Sequence, residues 1–175
     1  MKTIFFLMVI SIILSCKIKK QEFTTFKNKQ EKLVGIVDKT FLLTEPYNTW
    51  FSKNYETYTP DSTVISSLKQ RLKGITIKGF MGTWCRDSER EIPHLYSVLE
   101  AAEFNFKNLQ LHTVNRNKKN PNNLQKGYYI KKIPTFIFFK NKKEIGRYIE
   151  SAKETLEADI LAITAKNTLK YSLQK

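Results

Sequence analysis

Cysteine and histidine are almost absent, with two of each in 175 residues. One free thiol and two scattered histidines, His94 and His112, give no zinc-ligand spacing, so no metal is expected. Both histidines read as ordinary surface or edge residues. Glycine is also scarce: the six present build neither a phosphate loop nor a dinucleotide fingerprint, and no cofactor is expected. Acidic residues are outnumbered, 16 against 30 Lys and Arg, which leaves a formal charge of +14 and a pI near 9.7. Such a balance with many aromatics can mark a nucleic-acid binder. No nucleic-acid motif is present, however, and the start of the chain argues for export, so nucleic acid is not an expected partner. Internal repeats are lacking too.

The start of the chain carries the compartment signal. Met1-Lys2 is a short positive start, and Thr3 to Ser15 is an almost unbroken apolar run. That run falls short of the roughly 20 residues that span a bilayer. A charged start, an apolar core and a small residue before the cut make an export signal. Ile13-Leu14-Ser15-Cys16 resembles the lipobox of bacterial lipoproteins. The resemblance implies cleavage before Cys16, acylation of its sulfur, and a lipid-anchored protein of the cell envelope facing the periplasm or exterior. An uncleaved anchor and an ordinary signal peptide are the alternatives. If Cys16 is acylated, the mature chain cannot form an internal disulfide, and any disulfide at Cys85 joins another molecule. Basic charge beside an anchor suits anionic headgroups, at about 1 kcal/mol per Lys or Arg near the surface. It serves equally as a solubilising surface.

The organisation expected is a signal at residues 1–15, a flexible basic tether at 16–35 and one domain at 36–175. Ile36 to Leu43 reads as a first strand. The stretch from Thr44 to Thr59, with Tyr47, Trp50, Phe51, Tyr55 and Tyr58, covers a sheet edge or lines a peptide-binding surface. Thr59-Pro60 is expected to open a helix, with Val64, Ile65, Leu68 and Leu72 on one face and Gly74 at its exit. Ile75 to Met81 is a strand. A helix starts near Cys85 with Ile92, Leu95, Leu99 and Ala102 at helical spacing, and Leu109 to Asn115 is a strand. A polar loop follows at Asn117 to Lys126. Ile133 to Phe139 is apolar enough for a strand buried on both faces. Asn141-Lys142-Lys143 turns the chain into Glu144 to Ile149, and Ser151 with Glu154 forms a capping box before a last helix that packs through Leu156, Ile160 and Ile163. The sum is an α/β sandwich.

Cys85 follows a strand and opens a helix, where unpaired N–H groups and the helix dipole favour an anion. The thiolate is the nucleophile. Ser88 lies on the same side of the helix and can donate to the sulfur. Arg86 favours the thiolate, whereas Asp87 and Glu89 oppose it.

Phe80-Met81-Gly82-Thr83-Trp84-Cys85-Arg86-Asp87-Ser88 with Pro93 resembles the active-site segment of thioredoxin-fold proteins. Tyr129-Ile130-Lys131-Lys132-Ile133-Pro134-Thr135-Phe136-Ile137-Phe138-Phe139-Lys140-Asn141 is similar to their cis-proline strand and the hairpin beyond it. The resemblance spans about residues 36–170 and implies a thioredoxin fold: a central mixed β-sheet flanked by helices on both faces. It implies that Trp84 flanks the thiol, Cys85 attacks, Pro93 kinks the active-site helix, and Pro134 is cis and opposite Cys85. Ile133 would present backbone to a client, with Thr135 beside it. Two departures stand out. Ser88 replaces the second cysteine of the usual pair, so nothing in the chain could resolve a mixed disulfide. Gly79 stands six residues before Cys85, where many thioredoxins place a buried acid.

Three functions follow. The first is thiol–disulfide exchange through Cys85 alone, by mixed disulfides with client proteins or low-molecular-weight thiols, with Ser88 in the catalytic segment. The second is a non-catalytic module that binds peptide or protein in the groove around Pro134. The third, ranked last, is a thiol peroxidase.

Overall fold

The structure, a computed structural model, describes residues 25–27, 33–120 and 122–165. The expected signal and Cys16 lie outside these residues. The described elements are β1 (Thr25–Lys27), β2 (Leu33–Val37), α1 (Lys39–Leu42), α2 (Asn48–Glu56), α3 (Ser62–Arg71), β3 (Ile75–Met81), α4 (Arg86–Ala101), β4 (Leu109–Thr113), β5 (Thr135–Lys140), β6 (Lys143–Ile149) and α5 (Leu156–Thr164).

Among the described residues the strands form one sheet in the order β1-β2-β4-β3-β5-β6. Only β3 and β4 run parallel, with Met81 opposite Thr113, and α4 is their crossover. β5 returns antiparallel beside β3, then turns at Asn141 and Lys142, both at positive φ, into β6. The unit β3-α4-β4-β5-β6-α5 is the thioredoxin arrangement, so the chain has a mixed α/β thioredoxin fold.

Side chains alternate across the strands, and the two faces differ. One carries Ile75, Ile77, Met81, Leu111, Phe136, Phe138 and Tyr148, packed against buried residues of α2, α3, α4 and α5 in a single cluster. The other carries a smaller cluster of Phe80, Val114, Ile133 and Ile137, against which Trp84, Cys85, Tyr128 and Ile130 pack. Where the resemblance implies helices, this second face is covered among the described residues by the chain between β4 and β5. Seven of its residues are Asn or Pro, too poor in helix formers for a continuous helix. Buried Asn120 anchors it, donating to the Thr113 carbonyl at 3.0 Å.

Several boundaries differ from expectation. The first strand ends at Val37 because Asp38 caps the turn that follows, accepting from the Phe41 N–H at 2.8 Å. β1 and the start of β2 fall within 16–35, which the sequence suggests is a tether. The aromatic stretch does not cover a sheet edge. It forms α2 against α4, with Phe51 fully buried and edge-on to Tyr96 at 5.6 Å. Asp61, rather than Thr59-Pro60, caps α3 and accepts from the Thr63 N–H at 2.8 Å. Thr155, rather than the Ser151 box, caps α5 and accepts from the Ala158 N–H at 3.2 Å. No helix among the described residues is long and apolar enough to cross a membrane.

Candidate active site

Three of the five described α-helices carry a side-chain N-cap bond, and α2 and α4 do not. Asp38, Asp61 and Thr155 each cap a helix through a side-chain oxygen. At α4 the N-cap is Cys85, and no side-chain oxygen caps it. Cys85 thus stands at the N-cap position of a helix whose first-turn N–H groups favour an anion, and its thiol makes no capping bond of its own. Cys85 is half-buried, and its Sγ lies 3.7 Å from the carbonyl oxygen of Ile133, to which the thiol can donate weakly.

Ile133 precedes Pro134 through a cis peptide bond. The polar groups around it are already paired. The Pro134 carbonyl accepts from the Glu150 N–H at 2.7 Å, and the buried Thr135 hydroxyl donates to the Lys132 carbonyl at 2.7 Å. The Ile133 N–H, by contrast, has no partner among the described residues. Together with its carbonyl, it presents a donor and an acceptor to an extended chain arriving at the thiol. The Thr135 hydroxyl has its proton engaged at Lys132 and keeps only acceptor capacity.

Trp84 is fixed on the other side of Cys85. Its Nε1 donates to the Val114 carbonyl at 3.0 Å. The ring lies so close over Gly82 that a Cβ there would come within 2.6 Å of Trp84 Cε2. Glycine is needed at that point for close approach, not for an unusual φ.

Ser88 is fully buried, and its Oγ accepts from the Gly82 N–H at 3.2 Å. No hydrogen bond joins it to Cys85 among the described residues, so the expected donation to sulfur is replaced by a tie between α4 and the end of β3. Gly79 is packed shut, since a Cβ there would meet Leu111 Cδ1 at 2.7 Å. An acid does not fit at that position without displacing Leu111.

Pro93, buried inside α4, deprives the Glu89 carbonyl of its helical donor. Asn54 of α2 supplies the replacement, its Nδ2 donating to that carbonyl at 3.1 Å. Sequence reading finds the orphan but not its partner, 35 residues away. The charges on the first turn of α4 are also partly spoken for. Asp87 pairs with Arg90 at 3.0 Å, and Arg90 with buried Glu91 at 2.7 Å. Glu91 accepts in turn from the Tyr148 hydroxyl at 2.6 Å, which locks α4 to β6. Burial, with Glu91 beside it, pushes the Tyr148 phenol well above its ordinary value.

Neither histidine joins the site, and neither is a plain surface residue. His94 is half-buried and stacked on Tyr58 at 4.0 Å, and burial lowers its pKa. His112 lies in β4 on the second sheet face, 2% exposed and stacked on Phe80 at 5.0 Å, and neither ring nitrogen has a hydrogen-bond partner among the described residues. Burial, helped by Lys78, lowers its pKa to about 4. Among the described residues, no group of His, Cys, Asp and Glu is arranged to hold a metal ion.

No family model matches the chain. The chain is 29% identical over 96 residues to a thioredoxin-like protein of Acanthamoeba polyphaga mimivirus, across 55% of this chain and 67% of that protein. Among solved structures it is similar to a Pseudomonas aeruginosa protein of unknown function (TM-score 0.43, 16% identity), over 66% of this chain and 80% of the other. It is also similar to oxidized mitochondrial thioredoxin 3 of Saccharomyces cerevisiae (TM-score 0.33, 21% identity), over 55% and 86% of the two chains.

Proposed function

Since the chain is thioredoxin-like by homology and by fold, we propose that it is a membrane-tethered protein of the cell envelope that exchanges thiols and disulfides through Cys85 alone. The observation that carries this reading is the thiol at the N-terminus of α4, 3.7 Å from the backbone carbonyl of Ile133, whose N–H has no partner among the described residues. The Cys85 thiolate attacks one sulfur of a client disulfide, a new Sγ–S bond forms, and the other sulfur leaves with the electron pair as a thiolate. Buried Ser88 stands where a second thiol would attack the adduct. An external thiol must therefore attack the mixed disulfide, releasing Cys85 as thiolate and completing the exchange. Clients are proteins or low-molecular-weight thiols that reach Cys85 beside Trp84 and Ile133.

The test is capture. Full-length protein exposed to envelope extract and quenched with acid should carry disulfide-linked adducts, and Cys85→Ser should carry none. Adducts that persist at equal level in Cys85→Ser would rule the reading out. Tethering rests on the apolar start and Cys16. Cys16→Ser should move the protein from the membrane fraction to the soluble one.

The closed packing at Gly79 and the buried Ser88 hydroxyl favour a second reading, a binding module that has lost the reaction. Full function of a Cys85→Ala variant would decide for it.

A further inference from the structure

β3 and β4 end side by side, Met81 opposite Thr113. The chain leaving β3 supplies Trp84 and Cys85, and the chain leaving β4 supplies Val114 and Arg116. Such carboxyl ends of adjacent parallel strands are where α/β sheets receive ligands. Arg116 is exposed, and its guanidinium carbon lies 4.8 Å from the centre of the Trp84 ring, within the range of a cation–π contact. The ring itself is held by its bond to the Val114 carbonyl at 3.0 Å and by its seat on Gly82. Arg116 thus stacks on a hydrogen-bonded ring that packs against the same cluster as the thiol.

Arg116 makes no ion pair or hydrogen bond among the described residues. Arg90 and Arg147, by contrast, are consumed by Asp87, Glu91 and Glu144. The planar fork of Arg116 therefore presents N–H donors that match a carboxylate in two-point fashion. The remaining charges near the thiol do not cancel it. Arg86 and Lys131 are exposed cations, Asp87 is paired with Arg90, Lys132 is paired with Glu150 at 2.6 Å, and Glu89 opposes them.

We propose that Trp84 and Arg116 form an anion subsite of the exchange site, reading a carboxylate on the thiol or disulfide that reacts at Cys85. The inference rests on the exchange reading above and narrows its substrates to carboxylate-bearing ones.

Two aromatic disulfides test it on the full chain carrying Cys16→Ser, so that Cys85 is the only thiol. Dithiobis(nitrobenzoate) bears a carboxylate on each ring, and dithiodipyridine bears none. Each reacts by the same step: the Cys85 thiolate bonds to one sulfur and the other leaves with the electron pair, as a coloured thiolate from the nitrobenzoate and, after taking a proton on nitrogen, as an ultraviolet-absorbing thiopyridone from the pyridine. The readout is the ratio of the two rate constants. Arg116→Gln should lower that ratio roughly two- to fivefold, the upper part of the range for one exposed charge pair. Arg116→Lys should lower it less. Raising the salt should narrow the gap between wild type and Arg116→Gln. A ratio within twofold of wild type in Arg116→Gln, or an equal fall for both probes, would overturn the subsite while leaving the exchange reading standing. Failure of wild-type Cys85 to react with either probe would overturn both.

Discussion

Asn54→Ala removes the side-chain donor at the Glu89 carbonyl, whose usual helical partner is lost to Pro93. The side chain also donates to the Trp50 carbonyl at 2.9 Å, but that carbonyl lies inside a regular helix and loses little. Leaving a half-buried carbonyl without a partner costs about 1–2 kcal/mol. For a domain of this size that corresponds to a melting point lower by roughly 3–8 °C. The cost can be traced to its cause with a second substitution. Pro93→Ala returns an N–H to position 93, four residues beyond Glu89, and lets α4 satisfy the carbonyl internally. In that background Asn54→Ala should cost at most about 0.5 kcal/mol, which gives a coupling of about 1 kcal/mol. The effect of proline on the unfolded chain is the same on both sides of the cycle and cancels. Urea melts of the four proteins measure the coupling. If Asn54→Ala costs the same in both backgrounds, the side chain is not replacing a helical donor and the reasoning fails.

Two further outcomes follow from the same structure. His112 has a depressed pKa near 4 in the native state against an ordinary value of 6.5, so the unfolded chain takes up a proton that the native one refuses. Its contribution to stability is full above about pH 6.5 and falls with pH, by about 2–3 kcal/mol at pH 4.5. Phenylalanine can keep the stack on Phe80, so His112→Phe should lose less stability than wild type between pH 7 and 4.5 in urea melts. Equal losses would contradict the assignment. Gly82→Ala places a methyl 2.6 Å from the Trp84 ring, which must leave the Val114 carbonyl. We expect a cost of about 1–3 kcal/mol and a red-shifted tryptophan emission. An unshifted spectrum would mean that the ring does not depend on Gly82.

Much of the fold was legible because it depends on local pattern. β3 spans Ile75–Met81 as alternation and β-branching suggest, and the inward face of α5 is Leu156, Ile160 and Ile163 as its spacing indicates. Helix starts were less legible, because polar runs offer several capping residues and distant contacts choose among them. Buried Glu157 accepts from the Asp61 N–H at 2.9 Å, and buried Asp159 accepts from the Lys153 N–H at 2.9 Å. These bonds favour starts at Asp61 and Thr155 over Thr59 and Ser151. His112 was misread because its burial depends on the second sheet face, which the chain between β4 and β5 closes. At the site, Trp84, Cys85, Ile133 and Pro134 stand in two motifs that the sequence displays. Arg116 and Asn54 belong to neither, and only the fold brings them to α4 and Trp84. Signals for them did exist: an arginine just past the end of β4, and an orphaned carbonyl four residues before Pro93.

The most direct test of the central claim is the lifetime of the adduct at Cys85, followed by intact mass and peptide mapping after reaction with a small disulfide. The account predicts a single adduct on Cys85 that persists after excess reagent is removed and disappears only when an external thiol is added. An adduct that resolves unaided, or a Cys85 that never forms one, would contradict it.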